Sequence, residues 1–361
     1  MNKVVISGFY GFHNIGDEAI LETLTEQLRN LDSEIQITVL SHNPEETMSK
    51  FDVQAVKRND IFKVFSAIKE SDILLSGGGS LLQDDTSARS IHYYLTILRM
   101  GLFLKKHVFC ISNGIGPIIR ENNKKQVARV LNRVRHTTVR DFNSQKLLLD
   151  IGVNPEKVSV SADMVIAMNM QTPEIGKSIL KKVGIVDRQR KLLGIAIRQK
   201  DFRSPDKRDQ LVELANRLSE NYSVLFIPFY YKNDTKIYDD IHAYVHDHVY
   251  FVNDKYNTDE FMSLLENLDI LVGSRLHSLI FSLVAEVPFI GISYDPKIEN
   301  FMDMIEMQPV CSMDNFDPEK VIEAVIELDT DYIERKKTIV AAKHSLKKRL
   351  LINDEMLKKV L

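Results

Sequence analysis

An arginine and a histidine stand two residues apart in the segment 273–277, which reads Gly-Ser-Arg-Leu-His. An apolar run at 270–272 precedes this segment and predicts a buried strand. Apolar residues at helical spacing follow it and predict a helix, capped by Ser274, with Arg275 and His277 in its first turn. A guanidinium group is a forked donor for phosphate or carboxylate, and an imidazole exchanges a proton near neutral pH. The segment therefore predicts an anion site coupled to proton transfer.

The predicted position of this segment favours a ligand site. Open α/β sheets bind ligands at the carboxyl ends of their strands, where the first N–H groups of a helix attract anions. Lys297, just past the next predicted strand, falls on the same edge, and Arg198 ends an earlier strand. A buried structural histidine and an arginine in a surface ion pair are the simpler interpretations of each residue alone. Their occurrence together at one sheet edge favours a functional site.

Three glycine-rich turns follow predicted strands in the first half of the chain. The turn at 8–16 lacks the G-x-G-x-x-G spacing of a dinucleotide site, and Asp17 and Glu18 stand where a P-loop needs lysine and serine or threonine. These carboxylates suit hydroxyl groups, or they cap the helix, and both interpretations stay open. The triple glycine 77–79 leaves little but backbone, which favours close approach of a ligand over packing. The third turn begins at Asn113.

The elements that must position these residues form two series of alternating strands and helices. The alternation is interrupted between 169 and 190 by polar residues with one proline and two glycines. The two series predict an α/β fold of two Rossmann-like doubly wound domains that face each other across a cleft. The first two glycine-rich turns are expected to lie on that cleft. The predicted boundaries are an N-terminal domain at 1–170, a linker region with room for a short helix at 171–190, a C-terminal domain at 191–330 and a C-terminal helical segment at 331–361. After the first strand, the predicted strands lie at 35–40, 72–76, 107–112, 137–141, 157–161, 192–198, 222–228, 249–252, 270–272, 289–293 and 309–313.

Length and composition bound the remaining possibilities. At 361 residues the chain exceeds a usual single core, and its 44% hydrophobic and 27% charged residues are typical of a soluble globular protein. A formal net charge of −3 argues against a general nucleic-acid binder. The two cysteines, Cys110 and Cys311, provide neither a disulfide framework nor a thiolate metal cluster, and no apolar stretch is long enough to span a bilayer. These features indicate a cytoplasmic protein.

Two further groups of residues have weaker functional interpretations. His242 and His246 are predicted four apart on a helix, with His248 beyond, which is compatible with metal ligation. The glutamate of H-E-x-x-H is absent, so a metal site is the minority interpretation and we expect none. The basic segment 335–349 predicts a solvated helix, with contact to an anionic membrane surface as the minority alternative.

Five motifs make the chain resemble the polysaccharide pyruvyltransferases. They are Gly-Asp-Glu-Ala-Ile-Leu after the first strand, the triple glycine, Val-Arg-Asp, Ile-Arg-Gln and Ser-Arg-Leu-His-Ser. The resemblance extends from the first strand to about residue 310, and within the family it favours the bacterial cell-wall ketal-pyruvyltransferases (the CsaB type). It implies a GT-B-like pair of domains and phosphoenolpyruvate as donor, and we expect no cofactor. It also implies an acceptor sugar, N-acetylmannosamine in this branch and often lipid-linked, handled in the cytoplasm at the inner face of the membrane.

The resemblance also implies roles for individual residues. Family motif positions map onto Arg140, Arg275, His277 and Lys297, of which Arg275 and His277 are expected to be catalytic. The expected donor contacts are Ser274, Arg140, Arg198 and Lys297. The expected acceptor contacts are Asn14, Asp17, Glu18, Gly78, Gly79, His92, Asn113 and Asp234. Near Asp234 the chain departs from the family pattern, because Phe-Tyr-Tyr at 229–231 follows Pro228 in place of a single polar residue.

Two other functions remain as alternatives. A nucleotide-sugar glycosyltransferase of the GT-B fold often carries a ribose-binding glutamate in the pattern E-A-x-x-x-G-x-P. This chain has Phe281 at the glutamate position and Glu286 at the glycine position. A non-catalytic sugar-binding module is disfavoured, because a lectin has no need of clustered arginine, histidine and lysine at a helix N-terminus.

Overall fold

The computed structural model describes residues 2–85, 88–186 and 189–361, with the backbone alone at 88 and 89. The chain forms two units, the first comprising residues up to Ala167 together with 346–361, and the second Met168–Ser345. The C-terminal segment expected at 331–361 is thus divided between the two units. Parts of two predicted segments, 86–87 in the polar stretch after the triple glycine and 187–188 in the linker region, lie outside the described residues.

The first unit is built on a parallel sheet in the order β3-β2-β1-β4-β5-β6-β7. Its interior strands read as continuous apolar runs, because helices cover both faces of a parallel sheet. The strands are β1 Lys3–Tyr10, β2 Gln36–Ser41, β3 Gln54–Lys57, β4 Ile73–Gly77, β5 His107–Asn113, β6 His136–Val139 and β7 Val158–Val160. The helices are α1 Ile15–Leu31, α2 Pro44–Phe51, α3 Ile61–Glu70, α4 Ala88–Phe103, α5 Glu121–Leu131 and α6 Phe142–Asp150, with 3-10 turns at Pro155–Lys157 and Met164–Ala167.

The second unit repeats this plan with the order β10-β9-β8-β11-β12-β13. Its strands are β8 Lys191–Ala196, β9 Tyr222–Phe226, β10 Val249–Phe251, β11 Ile270–Gly273, β12 Phe289–Ser293 and β13 Cys311–Ser312. Its helices are α7 Pro173–Lys182, α8 Pro205–Ser219, α9 Tyr231–Asp234, α10 Lys236–Ile241, α11 Thr258–Leu265, α12 Leu276–Val284, α13 Pro296–Met304 and α14 Pro318–Thr330, with 3-10 turns at Gln199–Phe202 and His242–Tyr244. Helix α15, Tyr332–Leu357, begins in this unit and ends in the first.

Both sheets reverse their strand order at one point, between β1 and β4 in the first unit and between β8 and β11 in the second. At such a reversal, the loops after the two central strands diverge and leave a crevice for ligands. In the second unit, Gly273 at the end of β11 is in register with Ala196 of β8 and Gly291 of β12. The residues that follow these three strands therefore meet at one edge. The expected fold class, two parallel-sheet α/β domains, is confirmed.

One strand, β3, was missed by the sequence analysis. It reads Gln-Ala-Val-Lys at the edge of the sheet, and each of its residues is exposed or only partly buried. A short edge strand of this kind lacks the apolar run that marks the interior strands. Arg58 directly follows β3, at the carboxyl edge of the sheet.

Two predictions about helical segments are wrong in part. Helix α10 ends at Ile241, His242 starts the following 3-10 turn and His246 lies outside any helix, so the two histidines do not share a helical face. Among the described residues, no group of three or more His, Cys, Asp and Glu side chains is placed to hold a metal ion. In α15, Lys343 is buried, not solvated, and its ammonium group donates to Val284 O (2.7 Å) and Glu286 (2.8 Å). In the described parts of the chain, no helix combines the length and apolar content needed to cross a membrane.

Candidate functional site

The turn after β11 differs from the predicted one by a residue. Arg275, with extended backbone angles, is the N-cap of α12, and Leu276 is its first residue. Ser274 instead joins two strand ends, since its N–H donates to Ala196 O (2.9 Å) and its hydroxyl accepts the N–H of Arg198 (3.3 Å). The cap was misassigned because a serine that satisfies a neighbouring strand leaves its hydroxyl unavailable to the helix.

The apolar spacing and Pro288 predict that α12 extends to residue 287, but the helix ends earlier. Its last residue is Val284, and Glu286 adopts a positive φ of 58° well before Pro288. This backbone conformation favours glycine, and a side chain there is tolerated at an energy of about 1 kcal/mol. His277 is the second residue of the helix and half-buried, with its Nε2 atom buried. The first turn thus presents Arg275 and His277 at the carboxyl edge, as predicted for the segment.

Arg275 is held by a buried carboxylate. Its Nε donates to Asp234 Oδ2 (3.1 Å) and its Nη2 donates to Asp234 Oδ1, which gives a two-point contact. Asp234 is 1% exposed and also accepts the N–H of Tyr230 (2.9 Å). Burial raises the pKa of Asp234, and the positive charge of Arg275 opposes that shift. The prediction of an acceptor contact for Asp234 did not anticipate this pairing, which fixes the orientation of the guanidinium group.

Arg198 and Lys297 meet at an aromatic ring. The guanidinium carbon of Arg198 lies 3.4 Å from the centre of the Tyr294 ring, and Lys297 Nζ lies 5.1 Å from the same centre. Arg198 also donates through Nε to both oxygens of Asp201 (3.1 and 3.0 Å), and Lys297 lies 3.4 Å from Asp295. Tyr294 was not predicted, although an aromatic residue directly after a buried strand was the signal that could have identified it.

The second unit therefore brings together most of the residues predicted to contact the donor substrate. Ser274 contacts Arg198 directly, Arg275 follows in the chain, and Lys297 shares Tyr294 with Arg198. Arg140, the remaining predicted donor contact, belongs to the first unit. We name the second-unit group, Arg198, Ser274, Arg275, His277, Tyr294 and Lys297, the cation cluster.

Arg140 is buried among polar groups of the first unit. Its Nη1 pairs with Asp163 (3.0 Å), its Nη2 donates to Ser80 Oγ (2.9 Å) and its Nε lies 3.8 Å from Asp141. A Cβ at Gly114 would stand 2.7 Å from Arg140 Nε, so the glycine makes room for the guanidinium group. This network organises the carboxyl edge of β6, and Asp163 is a member that the sequence analysis missed.

Three glycines of the glycine-rich turns in the first unit, Gly8, Gly77 and Gly78, have a packing role that the sequence interpretation did not include. A Cβ at Gly8 would stand 2.3 Å from the Tyr10 ring, and one at Gly77 would stand 2.7 Å from the Tyr10 hydroxyl. A Cβ at Gly78, which has φ +51°, would clash with Ile20 of α1 at 2.3 Å. Gly79 differs, because its Cβ would face Asp17 Oδ1 at 3.1 Å. The sequence pattern indicated that another group comes close to the backbone of these glycines. At Gly8, Gly77 and Gly78 that group is a side chain of the same protein, Tyr10 or Ile20.

The two carboxylates after the first turn are buried, at 9% exposure for Asp17 and 7% for Glu18. Asn14 caps α1 by accepting the N–H of Gly16 (3.2 Å), so neither carboxylate is the cap. Glu18 instead accepts the N–H of Gly11 (3.0 Å) and closes the loop onto the helix. Burial raises the pKa of Glu18 above its ordinary value.

Two further predicted acceptor contacts have opposite environments. Asn113 is fully buried, and its Nδ2 donates to Gly78 O (3.2 Å), while its Oδ1 has no hydrogen-bond partner within the described residues. His92 is exposed on α4. Asn113 therefore lies with the triple glycine at the carboxyl ends of β4 and β5, whereas the structure records no comparable placement for His92.

An aromatic group beside the first turn was not predicted. Phe12 stacks on Phe9 (ring centres 4.0 Å apart) and on His42 (4.4 Å). The guanidinium carbon of Arg58 lies 5.3 Å from the Phe12 ring and 4.2 Å from the Tyr93 ring. The aromatic residues within the turn were a signal for this group, but its partners come from three other segments.

These units and sites define a two-domain α/β protein of the GT-B class. UDP-GlcNAc 2-epimerase from Neisseria meningitidis, solved with UDP-GlcNAc, has a TM-score of 0.65 at 15% identity, and the match covers 99% of this chain and 100% of that one. Anabaena Alr3699/HepE, solved with UDP, has a TM-score of 0.68 at 10% identity, covering 100% of this chain and 99% of that one. At such low identity the similarity shows the fold.

The sequence profile of the Polysaccharide pyruvyl transferase family matches residues 14–296, and the chain belongs to this family. The matched span includes the predicted site residues except Lys297, which lies one position beyond it. A relative, the amylovoran biosynthesis protein AmsJ of Erwinia amylovora, is 22% identical over 367 residues, covering 86% of this chain and 88% of that protein. The predicted family is thereby confirmed.

Proposed function

We propose that the protein transfers the pyruvyl group of phosphoenolpyruvate to a sugar of a polysaccharide precursor and forms a pyruvate ketal. The observation that carries this proposal is the cation cluster, in which Arg198, Arg275 and Lys297 follow three adjacent parallel strands. Phosphoenolpyruvate has a carboxylate and a phosphate on the same carbon atom, so it needs several cations close together. A helix N-terminus and two arginine forks provide them.

The carboxylate partners of these cations support the same function. Asp234 and Asp201 hold the two guanidinium groups in place before a ligand arrives, and Tyr294 supports Arg198 from one face. Side chains that are already ordered lose little conformational entropy when they bind. The cluster is thus prepared for a small, rigid dianion or trianion.

The proposed reaction needs a proton at carbon. A proton adds to the methylene carbon of phosphoenolpyruvate, and a sugar hydroxyl attacks the oxocarbenium-like carbon that results and releases its own proton. Cleavage of the carbon–oxygen bond to phosphate follows, and a second hydroxyl of the same sugar closes the ketal ring. One of the two hydroxyl protons replaces the proton added to carbon, and the other leaves with phosphate. We assign the first proton transfer to His277, a role worth a factor of about 10²–10⁴ in rate.

We assign the acceptor sugar to the first unit. Asp17, which faces Gly79, and Glu18 provide carboxylate oxygens that accept hydrogen bonds from sugar hydroxyls. Membership in the family and the name of AmsJ support a polysaccharide precursor as the acceptor class. N-acetylmannosamine on a lipid-linked cell-wall precursor is the acceptor that we propose, with the reaction in the cytoplasm at the inner membrane face.

A nucleotide-sugar glycosyltransferase is the alternative that shares the fold. Phe281, at the position of the ribose-binding glutamate, is fully buried and packs edge-on against Phe229 (5.7 Å) and Phe261 (6.4 Å). Glu286, at the glycine position, pairs with Lys343 (2.8 Å). The phenylalanine ring cannot accept a ribose hydroxyl, and the Glu286 carboxylate is engaged by Lys343, which supports the pyruvyltransferase over this alternative.

Thermal unfolding with added ligands tests the proposal. Phosphoenolpyruvate should raise the melting temperature without a metal ion and in the presence of EDTA, whereas UDP and UDP-sugars should have no effect. At a hundredfold excess over Kd, a bound ligand stabilises by about 2.7 kcal/mol, which is roughly 5–10 °C for units of this size. Stabilisation by UDP with no response to phosphoenolpyruvate would contradict the pyruvyltransferase and favour a nucleotide-sugar enzyme instead.

A further inference from the structure

Helix α3 presents an apolar face to solvent. Phe62 is 85% exposed, Ile61 48% and Phe65 38%, while Val64 and Ile68 are fully buried. At 100° per residue, the three exposed side chains fall within roughly 100° of the helix circumference. Large apolar side chains grouped in this way on one helix face mark an interaction surface more often than scattered ones do.

The position of α3 places this face beside the predicted acceptor edge. The helix starts after β3, at the carboxyl edge of the first sheet, and Asp60 caps it by accepting the N–H of Lys63 (3.1 Å). Arg58 precedes Ile61 by three residues, so their Cα atoms are at most about 11 Å apart. The side chain of Arg58 reaches back to the first glycine-rich turn, where its Nη1 donates to Gly8 O (3.1 Å).

Arg58 differs from the arginines of the cation cluster in its partners. Its guanidinium group contacts Gly8 O, the faces of Tyr93 and Phe12, and the Tyr94 hydroxyl at 3.4 Å. Within the described residues, the structure records no ion pair between Arg58 and a carboxylate. A half-buried cation that is held by rings and a carbonyl oxygen retains its charge for an external anion.

The local charge has the opposite sign to that of the whole chain. Residues 57–70 contain four basic side chains (Lys57, Arg58, Lys63 and Lys69) and two acidic ones (Asp60 and Glu70), a net charge of +2, against −3 for the whole chain. Basic residues interleaved with exposed aromatic residues fit an anionic lipid surface, which takes the rings between its headgroups and the charges at its phosphates.

We propose that the exposed face of α3 docks on an anionic membrane surface and that Arg58 contacts a phosphate group there. The three apolar side chains expose roughly 300 Å², whereas a stable interface between two protein copies needs about 800 Å² per partner. A membrane has no such minimum, since each inserted ring contributes independently. Membrane docking through α3 would present a lipid-linked sugar to the first unit, and this role rests on the proposed function. The docking itself does not depend on that function.

Co-sedimentation with vesicles, in the absence of substrates, tests this proposal. The wild-type protein should bind phosphatidylcholine vesicles that contain phosphatidylglycerol more tightly than phosphatidylcholine alone. Phe62→Ser with Phe65→Ser should lower the partition coefficient at least about tenfold. Arg58→Gln should reduce the preference for phosphatidylglycerol and leave the binding to neutral vesicles unchanged. Circular dichroism should show that each variant keeps its fold.

Phe103→Ser is the matched control. Phe103 is 77% exposed, but it ends α4 at the amino ends of the strands, whereas α3 starts at their carboxyl ends. This variant should bind vesicles as the wild type does. An equal loss in Phe103→Ser, or a wild-type protein that does not bind vesicles, would overturn the proposal. So would sedimentation velocity that shows the double variant converting a dimer into a monomer, since the face would then be a protein interface. Stabilisation by phosphoenolpyruvate is measured separately, so the failure of one proposal leaves the other intact.

Discussion

His277 is the residue on which the proposed chemistry depends most. It stands in the first turn of α12, two residues after an arginine whose orientation Asp234 fixes. Negative charge on a bound donor favours the imidazolium form, so the histidine should gain its proton as phosphoenolpyruvate binds. His277→Gln should therefore keep the fold and most of the donor affinity, and lose at least about two orders of magnitude in kcat.

Arg275→Lys is the comparison for this variant. A lysine offers a point charge in place of a two-pronged fork, so donor binding should weaken while the fold is kept. Steady-state kinetics with phosphoenolpyruvate separate the two, because one variant changes kcat and the other changes KM. A His277→Gln enzyme with near wild-type turnover would remove the histidine from the proton transfer, and Lys297 would be the next candidate.

Glu18 has a testable pH signature. Burial raises its pKa, so its contribution to stability is full below its ordinary value of 4.5 and is lost as pH rises through the folded-state value. Glu18→Gln keeps an acceptor for the N–H of Gly11 and removes the buried charge. The variant should match the wild type below pH 4.5 and be more stable at pH 8, as measured by thermal melts.

The same variant separates the structural role of Glu18 from the acceptor role. If the carboxylate binds the sugar, Glu18→Gln should lose activity in the range where it gains stability, through a higher KM for the acceptor. The opposite result would be a Glu18→Gln protein whose stability relative to wild type falls between pH 4 and pH 8. It would show that the attraction between Glu18 and Lys50 (3.8 Å) outweighs the cost of burying the carboxylate.

At the scale of elements, the turn after β4 depends on close packing against α1. A Cβ at Gly78 would stand 2.3 Å from Ile20 Cγ2, so Gly78→Ala must displace the helix or the strand end. We expect a loss of about 1–3 kcal/mol, the range typical of overpacked cores. Chemical denaturation measures it, and an unchanged midpoint would contradict the packing role.

Gly152→Ala is the matched control for this prediction. Gly152 also has a positive φ, +93°, but a Cβ there would meet nothing within 4 Å. Its substitution therefore reports backbone strain alone, on the order of 1–2 kcal/mol. Gly78 has φ +51°, where side chains are tolerated better than at the +93° of Gly152. Backbone strain should therefore cost less at Gly78 than at Gly152. Any loss of stability in Gly78→Ala beyond that strain comes from the steric clash with Ile20.

Element types and their alternation could be predicted from the sequence because local signals determine them. β4 is buried at each of its five positions and begins with the apolar run Ile-Leu-Leu, and α12 carries apolar residues at helical spacing. β3 gave no such signal at the sheet edge. The segment with Arg275 and His277 was found for the same reason, since its strand, turn and helix are contiguous in the chain.

The partners of the site residues could not be predicted, because each comes from another element. Asp234 is 41 residues from Arg275, and Tyr294 reaches Arg198 across the β8–β11–β12 edge. Arg58 depends on rings of α4 and of the first turn. No spacing rule connects such positions, and their pairing is decided only when strand order and register are known.

At the scale of the whole molecule, α15 links the two units within one helix. Its end packs in the first unit, where Asn353 is fully buried, accepts a hydrogen bond from Thr138 (2.8 Å) and donates to Ser112 (3.0 Å) and Ser161 (3.2 Å). Asn353→Ala would remove three buried hydrogen bonds to these hydroxyls and should destabilise the protein by about 2–3 kcal/mol. Leu351→Ala, two residues earlier at 55% exposure, should change stability by less than about 0.5 kcal/mol.

Chemical denaturation, followed by a signal from each unit, measures this difference. The Asn353→Ala loss should appear in the first unit, because all three hydroxyl partners belong to it. Equal effects of the two alanine variants would mean that the buried amide contributes nothing beyond its helix position.

The division of the chain into units has a consequence for its synthesis on the ribosome. The second unit is one uninterrupted stretch, whereas the first needs 346–361 in addition to its N-terminal part. A nascent chain in which residues up to Ser345 have emerged holds every residue of the second unit and lacks part of the first. The usual order, in which the N-terminal domain completes its folding first, should therefore be reversed in this protein. The first unit would complete its folding only after residues 346–361 emerge, when Asn353 can bind the hydroxyl groups of Thr138, Ser112 and Ser161.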